Sequence, residues 1–177
     1  FDLNFPLHVS NYFRDCGYCK FSNPDFTRSV INEAMGINLE DTFIVKEDNV
    51  ENKLNLLHLS GNSSLQSFMP FITKLSIFSS QLPLKFVSTG KEYVNQQLNN
   101  VQSTSNQIFV VTKDESSFDE ILAVLLVHIR KIYQPLNLHF RVVVYPANEL
   151  NLRECYKIGI EMFSTSQQNY VEIGNFA

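Results

Sequence analysis

Two apolar runs on either side of a long polar stretch constrain the fold of this chain most. The runs are LPLKFVST (82–89) and QIFVVT (107–112), both rich in residue types that favour strands. The stretch Glu92–Gln107, EYVNQQLNNVQSTSNQ, consists largely of amides and hydroxyls, and after Glu92 it holds no charged residue and no histidine. Two such strands predict an antiparallel hairpin, and a long connection of this kind is usually functional or disordered.

Shorter segments with the patterns of strands and helices surround this hairpin. Strand composition is found in 18–22, 41–47, 55–61, 138–146, 155–165 and 169–175. The last two predict a terminal hairpin, and the run of valines in 138–146 predicts a strand buried on both faces. Helical patterns cover 5–17, 26–36, 63–75 and 116–134. Because strands outnumber helices and most are joined by hairpins, the sequence predicts an α+β fold with a mainly antiparallel sheet.

The ends of the helical segments carry residue types that begin or end helices. Gly17 and Gly36 are expected to end the first two helices, and Thr27 is expected to cap the second. Ser117 and Glu120 form the pattern of a capping box at the start of the last helix. Apolar residues of that helix recur at helical spacing and predict a core-facing stripe: Phe118, Ile121, Leu122, Leu125, Ile129, Ile132 and Tyr133.

Composition narrows the functional class. The 177 residues suit one domain, and no window has the length and apolarity of a membrane-spanning helix. The net charge of −4 argues against a general electrostatic attraction to nucleic acid by this chain alone. The odd number of cysteines, three, favours a reducing compartment.

Several groups of residues have the types that could carry chemistry, and each has a simpler explanation. Cys16 and Cys19 are spaced like a redox or zinc pair, but they follow a helix end and no second pair exists, so structural cysteines are favoured. The four histidines lie in separate segments, so structural histidines are favoured, and STG at 88–90 predicts an ordinary turn. Glu161 and Glu172 face each other in the terminal hairpin; such a pair could hold Mg²⁺, although a solvated cross-strand pair is favoured.

The order of these segments resembles the catalytic core of class II seryl-tRNA synthetases, and most of all the mitochondrial enzymes. NYFRDCGYCKFSNPDF (11–26) is similar to motif 1, and LHLSGNSSLQSF (57–68) is similar to the family's LxGTxE segment. The two apolar runs resemble the strands that enter and leave motif 2. LNLHFRVVVYPANELNLRECYKIGIEMFSTSQQNYVEI (136–173) resembles the family's LHFRV…ELG…YDIEAWMP…Y.EIS stretch. The resemblance covers nearly the whole chain and implies a degenerate catalytic-like core over 1–177, from motif 1 to just before motif 3. It also implies that the family's N-terminal tRNA-binding arm is absent from this chain.

The residues that carry chemistry in the family are replaced here. At the start of motif 2, arginine and glutamate become Val94 and Gln96, and its returning strand has Asn99, Val101 and Gln107 where the family has arginine, histidine and glutamate. The threonine and glutamate of TxE become Asn62 and Ser64, and the aspartate of YDIE becomes Gly159. Arginines in such a site neutralise a triphosphate, and each hydrogen bond to a charged group contributes about 1.5–3 kcal/mol. Glu161 and Glu172 match acidic positions of the family, and Glu172 matches a metal-associated one; without the phosphate clamp both are expected to be vestigial.

These departures imply a non-catalytic paralogue with no cofactor, like the synthetase-like paralogues of insect mitochondria. The resemblance implies dimerisation through motif 1, either with a second copy or with the mitochondrial seryl-tRNA synthetase as partner, and a mitochondrial location. Candidate interface residues are Tyr12, Phe13, Tyr18, Phe21 and Pro24. Two alternatives stay open: a free-standing RNA-binding protein that uses regions outside this chain, and an active synthetase fragment with replaced site residues.

Overall fold

A computed structural model describes residues 4–38, 42–45, 52–93, 102–151 and 154–177. Four α-helices lie among them: α1 (Asn4–Asp15), α2 (Ser29–Ala34), α3 (Leu65–Thr73) and α4 (Glu115–Tyr133). The strands are β1 (Cys19–Lys20), β2 (Phe26–Arg28), β3 (Phe43–Ile44), β4 (Leu57–Leu59), β5 (Leu84–Tyr93), β6 (Gln102–Val111), β7 (Phe140–Val144), β8 (Ile158–Ser164) and β9 (Asn169–Phe176). The chain divides into two compact units, Phe1–Phe118 and Asp119–Ala177. In the described part of the chain, no helix is both long and apolar enough to cross a membrane.

The first unit contains two three-stranded sheets. In one, β5 lies between β1 and β6, with β1 parallel and β6 antiparallel to it. In the other, β4 lies between β2 and β3, and both pairings are antiparallel. Helix α1 packs on β5 and β6, and its Val9 and Phe13 are buried.

An aromatic cluster fills the space between α3 and the β5–β6 hairpin. Phe68 stacks on Phe109 with ring centroids 4.0 Å apart and an angle of 3° between the rings. The rings of Phe21, Phe71 and Phe86 each lie 5.6–6.3 Å from Phe68. Since aromatic side chains bury a large apolar area, this cluster is a main source of stability in the first unit.

The second unit combines most of α4 with the antiparallel sheet β7–β8–β9. The predicted stripe of α4 is confirmed, since Ile121, Leu125, Ile129 and Ile132 are its buried residues. The predicted terminal hairpin is also confirmed, and its register places Glu161 opposite Glu172.

The ends of the helices follow the sequence signals in part. Gly17 and Gly36 adopt positive φ after α1 and α2, as predicted for glycines that end helices. The predicted capping box of α4 is wrong by three residues. Asp114 is the cap: one of its carboxylate oxygens accepts from the backbone amide of Ser117 (2.9 Å) and from its hydroxyl (2.6 Å).

The predicted helix over 26–36 begins later than the sequence indicated. Phe26–Arg28 forms β2, and Thr27 pairs with His58 of β4 instead of capping a helix. The helix starts at Ser29 after Arg28, whose side chain makes no capping hydrogen bond. Pairing with a strand some 30 residues away thus outweighs the local helical pattern, and aromatic and β-branched residues such as Phe26 and Thr27 favour this outcome.

Three further predictions are corrected. The connection of the central hairpin is shorter than predicted, because the ladder extends to the Tyr93–Gln102 pair and takes up much of the polar stretch. STG at 88–90 lies inside β5 and is not a turn. Strand β7 is not buried on both faces: it lies at one end of the described sheet, and Val142 and Val144 are 47% and 72% exposed.

Candidate functional site

The loop between β4 and α3 lies directly on β5 and holds two positions, Asn62 and Ser64, at which the resemblance implies a replaced family residue. Gly61 has a φ of +87°, and a Cβ there would overlap the Lys91 carbonyl group, so this close approach requires glycine. The side-chain oxygen of Asn62 accepts from the Lys91 amide (2.9 Å), and its backbone carbonyl accepts from the Ser88 hydroxyl (3.1 Å). Gly90 leaves the space that the Asn62 amide occupies. Asn62 therefore anchors the loop to the strand.

Ser64 is used entirely inside the fold. Its hydroxyl oxygen caps α3 by accepting from the Ser67 amide (3.2 Å), and its hydroxyl group lies 2.9 Å from the Gly61 carbonyl, to which it donates. The Ser67 hydroxyl donates to the same carbonyl (2.8 Å) and lies 3.0 Å from the Ser60 hydroxyl. Ser64 is only 2% exposed, so where the resemblance implies a substrate-binding glutamate, this chain has a buried helix cap.

A neighbouring serine ties the same loop to β6. The hydroxyl of Ser63 donates to the Lys91 carbonyl (3.1 Å) and lies 2.7 Å from the hydroxyl of Ser105. Ser63 is fully buried. We call Ser60, Ser63, Ser64, Ser67, Ser88 and Ser105 the serine network. It satisfies the polar groups of the loop within the first unit.

Glu92 is a site residue that the sequence analysis passed over. Residues two apart in a strand share a face, so Glu92 lies on the face of β5 that carries Ser88 and meets α3. Burial raises the pKa of its carboxyl group, and hydrogen bonds from Ser105 and Gln107 limit the rise. Gln107, where the resemblance implies a family glutamate, thus supports a carboxylate of this chain. The available signal was that Glu92 is the last charge before an uncharged stretch.

The carboxylate pair of the second unit lies within a dense polar cluster. Arg141 Nε donates to Glu161 Oε2 (2.7 Å), and Lys157 Nζ lies 3.1 Å from Glu172 Oε2. The hydroxyl of Tyr145 lies between the two carboxylates, 3.1 Å from Glu161 Oε1 and 2.8 Å from Glu172 Oε2. Asn175 Nδ2 donates to Glu172 Oε1 (2.7 Å). We call this set the carboxylate cluster: Arg141, Tyr145, Lys157, Glu161, Glu172 and Asn175.

Hydrogen bonding sets the protonation of this cluster. Partial burial alone would raise the pKa of Glu172, but hydrogen bonds from Asn175, Tyr145 and Lys157 hold that pKa below its usual value. The pKa of Tyr145 is raised, first by its hydrogen bond to Glu172 and then by burial and by Glu161. Glu172 is therefore a carboxylate at neutral pH, and Tyr145 keeps its proton.

The remaining candidates for chemistry lie apart from these two sites. Cys16 and Cys19 follow the end of α1, as predicted. These two cysteines and Cys155 are exposed, so they do not pack in a core. No disulfide links the described cysteines. His58 is a structural histidine, as predicted: it is fully buried between the hydroxyls of Ser29 (2.6 Å) and Thr42 (2.8 Å).

Among the described residues, no group of three or more His, Cys, Asp or Glu side chains is arranged to hold a metal. Four replaced positions lie outside the described residues: Val94, Gln96, Asn99 and Val101.

The candidate interface residues of motif 1 differ in accessibility. Phe13 is fully buried and Tyr18 is 3% exposed, and their rings meet edge to face with centroids 5.1 Å apart. Tyr12 and Phe21 are partly exposed, and Pro24 is exposed. Phe13 and Tyr18 therefore belong to the core of the first unit, and a partner docked on motif 1 would touch the other three.

Comparison with known proteins finds one similar sequence and several solved structures with the same fold. No protein-family model matches the chain. The chain is 31% identical over 188 aligned residues to the serine–tRNA synthetase-like protein Slimp of Drosophila melanogaster, an alignment that covers 100% of this chain and 40% of that protein. This similarity confirms the resemblance predicted from the sequence.

Two solved structures share the fold. Seryl-tRNA synthetase from Pyrococcus horikoshii, complexed with ATP, matches 98% of the chain with a TM-score of 0.82 and 18% identity. Cytoplasmic serine–tRNA ligase from Naegleria fowleri, in complex with AMP, matches 97% with a TM-score of 0.80 and 19% identity. The predicted class II α+β fold is thereby confirmed. The chain spans 40–43% of the length of these two proteins, much as it spans 40% of Slimp.

Proposed function

From the relationship of this whole chain to a serine–tRNA synthetase-like protein, we propose that it is the core of a non-catalytic seryl-tRNA synthetase paralogue. One observation carries the proposal: the replaced positions that the structure describes are occupied by contacts within the chain. Asn62 anchors a loop, Ser64 caps a helix, and the ring of Tyr145 lies against Gly159. A side chain that satisfies its own fold offers no free carboxylate to a substrate amine.

The loss of charge supports the same conclusion. Formation of an aminoacyl adenylate from an amino acid and ATP, with release of pyrophosphate, needs cations around the triphosphate and an anion near the amino group. The described residues around the serine network that come from replaced positions are neutral: Asn62, Ser64 and Gln107. At about 1.5–3 kcal/mol for each lost charged hydrogen bond, two or three losses reduce affinity by several powers of ten.

Calorimetric titration of the full-length protein tests this proposal. ATP with Mg²⁺ and a non-hydrolysable seryl-adenylate analogue are titrated separately, and an active seryl-tRNA synthetase serves as the positive control. We expect no binding heat and no thermal shift for this protein. Binding of either ligand with micromolar affinity would restore the enzyme hypothesis.

We further propose that the protein acts in mitochondria through a partner, by dimerising with the mitochondrial seryl-tRNA synthetase or with itself along motif 1. Leu7 of α1 and Phe26, two residues after Pro24, are 52% and 48% exposed, so each offers an apolar side chain to a partner. Fewer than about a third of interface residues contribute more than about 1 kcal/mol each, so a few such side chains would carry most of the affinity. The net charge of −4 gives no support to an RNA-binding role for this core.

Matched exposed substitutions test the interface. Leu7→Asp places a charge on α1, the helix that leads into motif 1, and Val127→Asp places one on α4 at the same 52% exposure. We expect Leu7→Asp to weaken dimerisation by at least about tenfold, measured by sedimentation of the full-length protein with and without the synthetase. Val127→Asp should leave assembly unchanged. Equal dimerisation of both variants and the unmodified protein would exclude this face.

A further inference from the structure

Tyr145 is fitted to Gly159 in a way that links two positions of the second unit. The amide of Tyr145 donates to the Lys157 carbonyl (2.9 Å), which holds the residue beside the start of β8. A Cβ on residue 159 would lie 3.0 Å from Tyr145 Cζ and closer still to Cε2. The ring therefore takes the space into which any side chain at residue 159 would project. Only glycine at this position leaves room for the ring.

The hydroxyl that this ring carries bridges the two carboxylates. Its oxygen lies 3.1 Å from Glu161 Oε1 and 2.8 Å from Glu172 Oε2, so its single proton is donated to one of the two carboxylates at a time. A divalent cation shared by two carboxylates would need to occupy the position of this oxygen, because it must lie within about 2.0–2.6 Å of an oxygen from each. The phenol oxygen and such an ion cannot both be present.

The rest of the carboxylate cluster supplies the positive charge that an ion would bring. Lys157 Nζ is 3.1 Å from Glu172 and 4.6 Å from the centre of the Tyr145 ring, so the ammonium group holds both. Arg141 pairs with Glu161 at 2.7 Å. Each of the four carboxylate oxygens accepts a hydrogen bond, and the two cations balance the two anions.

We propose that Tyr145 and Lys157 stand in for a metal ion between Glu161 and Glu172, and that they exclude divalent cations from this site. The carboxylate pair is then a structural connection between three strands, independent of Mg²⁺. This inference rests on the proposed function, because it concerns a site where the resemblance implies a metal-associated glutamate. The resemblance implies that Gly159 replaces a family aspartate. This replacement belongs with the loss of the metal ion, because glycine at residue 159 leaves room for the Tyr145 ring.

The test is Mn²⁺ binding to the full-length protein, measured from the electron paramagnetic resonance signal of the free ion. We expect that no Mn²⁺ binding of the unmodified protein depends on Glu172. The unmodified protein and the Glu172→Gln variant should therefore bind Mn²⁺ equally weakly. The double variant Tyr145→Phe, Lys157→Met keeps the ring but removes the phenol and the ammonium, and we expect it to bind at least about tenfold more tightly. Tyr170→Phe is the matched control, because it removes a phenol of the same sheet whose ring lies under Arg141 and not between the carboxylates.

Two results would overturn the proposal. One is Mn²⁺ binding by the unmodified protein that Glu172→Gln removes. The other is a double variant that is folded by circular dichroism and binds no more tightly than the unmodified protein. Should the double variant not fold, Lys157→Gln alone is measured, and it must tighten Mn²⁺ binding for the proposal to stand. Nucleotide binding without Mn²⁺ binding would instead contradict the proposed function and leave this exclusion intact.

Discussion

Phe13→Ala separates the two roles that motif 1 could give this residue. Phe13 has no exposed surface in the first unit, and its ring lies edge to face with Tyr12 (5.6 Å) and Tyr18 (5.1 Å). Replacing a buried phenylalanine by alanine costs about 3–5 kcal/mol, since transfer energy is lost and a cavity remains. Two edge-to-face contacts are lost as well, each worth roughly 0.5–1.5 kcal/mol beyond burial. We expect a loss of about 4 kcal/mol, which is the lower end of these two costs taken together.

The assay is urea unfolding followed by far-ultraviolet circular dichroism at two protein concentrations. A core role predicts the same loss of unfolding free energy at both concentrations. Thermal unfolding should show a fall in Tm of about 8–16 °C for a chain of this size. Leu7→Ala, on the same helix but 52% exposed, is the control and should change stability by less than about 1 kcal/mol. A Phe13→Ala loss below about 1 kcal/mol, or one seen only at the high concentration, would refute the core assignment and return Phe13 to the interface.

Three further predictions concern the buried His58, the loop at Gly61 and the carboxylate cluster. Burial lowers the pKa of His58 from its ordinary 6.5, so below that pH the unfolded chain binds a proton that the folded chain does not. The free energy of unfolding should therefore fall as the pH drops below about 6.5, by at most about 1.4 kcal/mol per pH unit. Unfolding titrations of His58→Gln should show a smaller slope. Gly61→Ala should be less stable than Gly17→Ala by about 1–3 kcal/mol in thermal denaturation. The two φ angles match (+87° and +90°), but of these two residues only residue 61 would bring a Cβ against a neighbouring backbone. Equal losses of stability would mean that β5 can move away from the loop. Arg141→Met should cost less than about 1 kcal/mol despite its 2.7 Å contact with Glu161, since half of the arginine side chain is in solvent, and a larger loss in urea unfolding would show that the cluster is cooperative.

Local sequence rules predicted much of this fold. The stripe of α4 follows from helical spacing. Gly17 and Gly36 end helices because glycine, which has no Cβ, adopts positive φ without strain. The alternation of the terminal hairpin predicted that Glu161 faces Glu172, since one turn fixes the register of both strands. These features depend on residues close in the sequence.

The features that sequence reasoning missed depend on distant partners. Ser63 meets Ser105 across 42 residues, and Tyr145 meets Glu172 across 27. Neither contact leaves a periodic pattern, because a serine or a tyrosine alone is compatible with solvent, core or loop. Strand β2 was missed for the same reason, since its partner β4 lies beyond α2 and β3. The candidate site was therefore recognised from its lost charges, while its present contacts came only from the structure.

The buried cap at Ser64 limits how this chain can change in future. A glutamate restored there would have to place a longer, charged side chain where 2% of the residue is exposed, and it would remove the hydroxyl that begins α3. Burying that charge without a partner would cost several kcal/mol, so the first step back is selected against before any activity can return. Recovery would need Ser64, the loop around Gly61 and the strand beneath it to change together. Under the proposed function, divergence from an active synthetase at this position is hard to reverse, because folding stability disfavours the return even where no selection acts on catalysis.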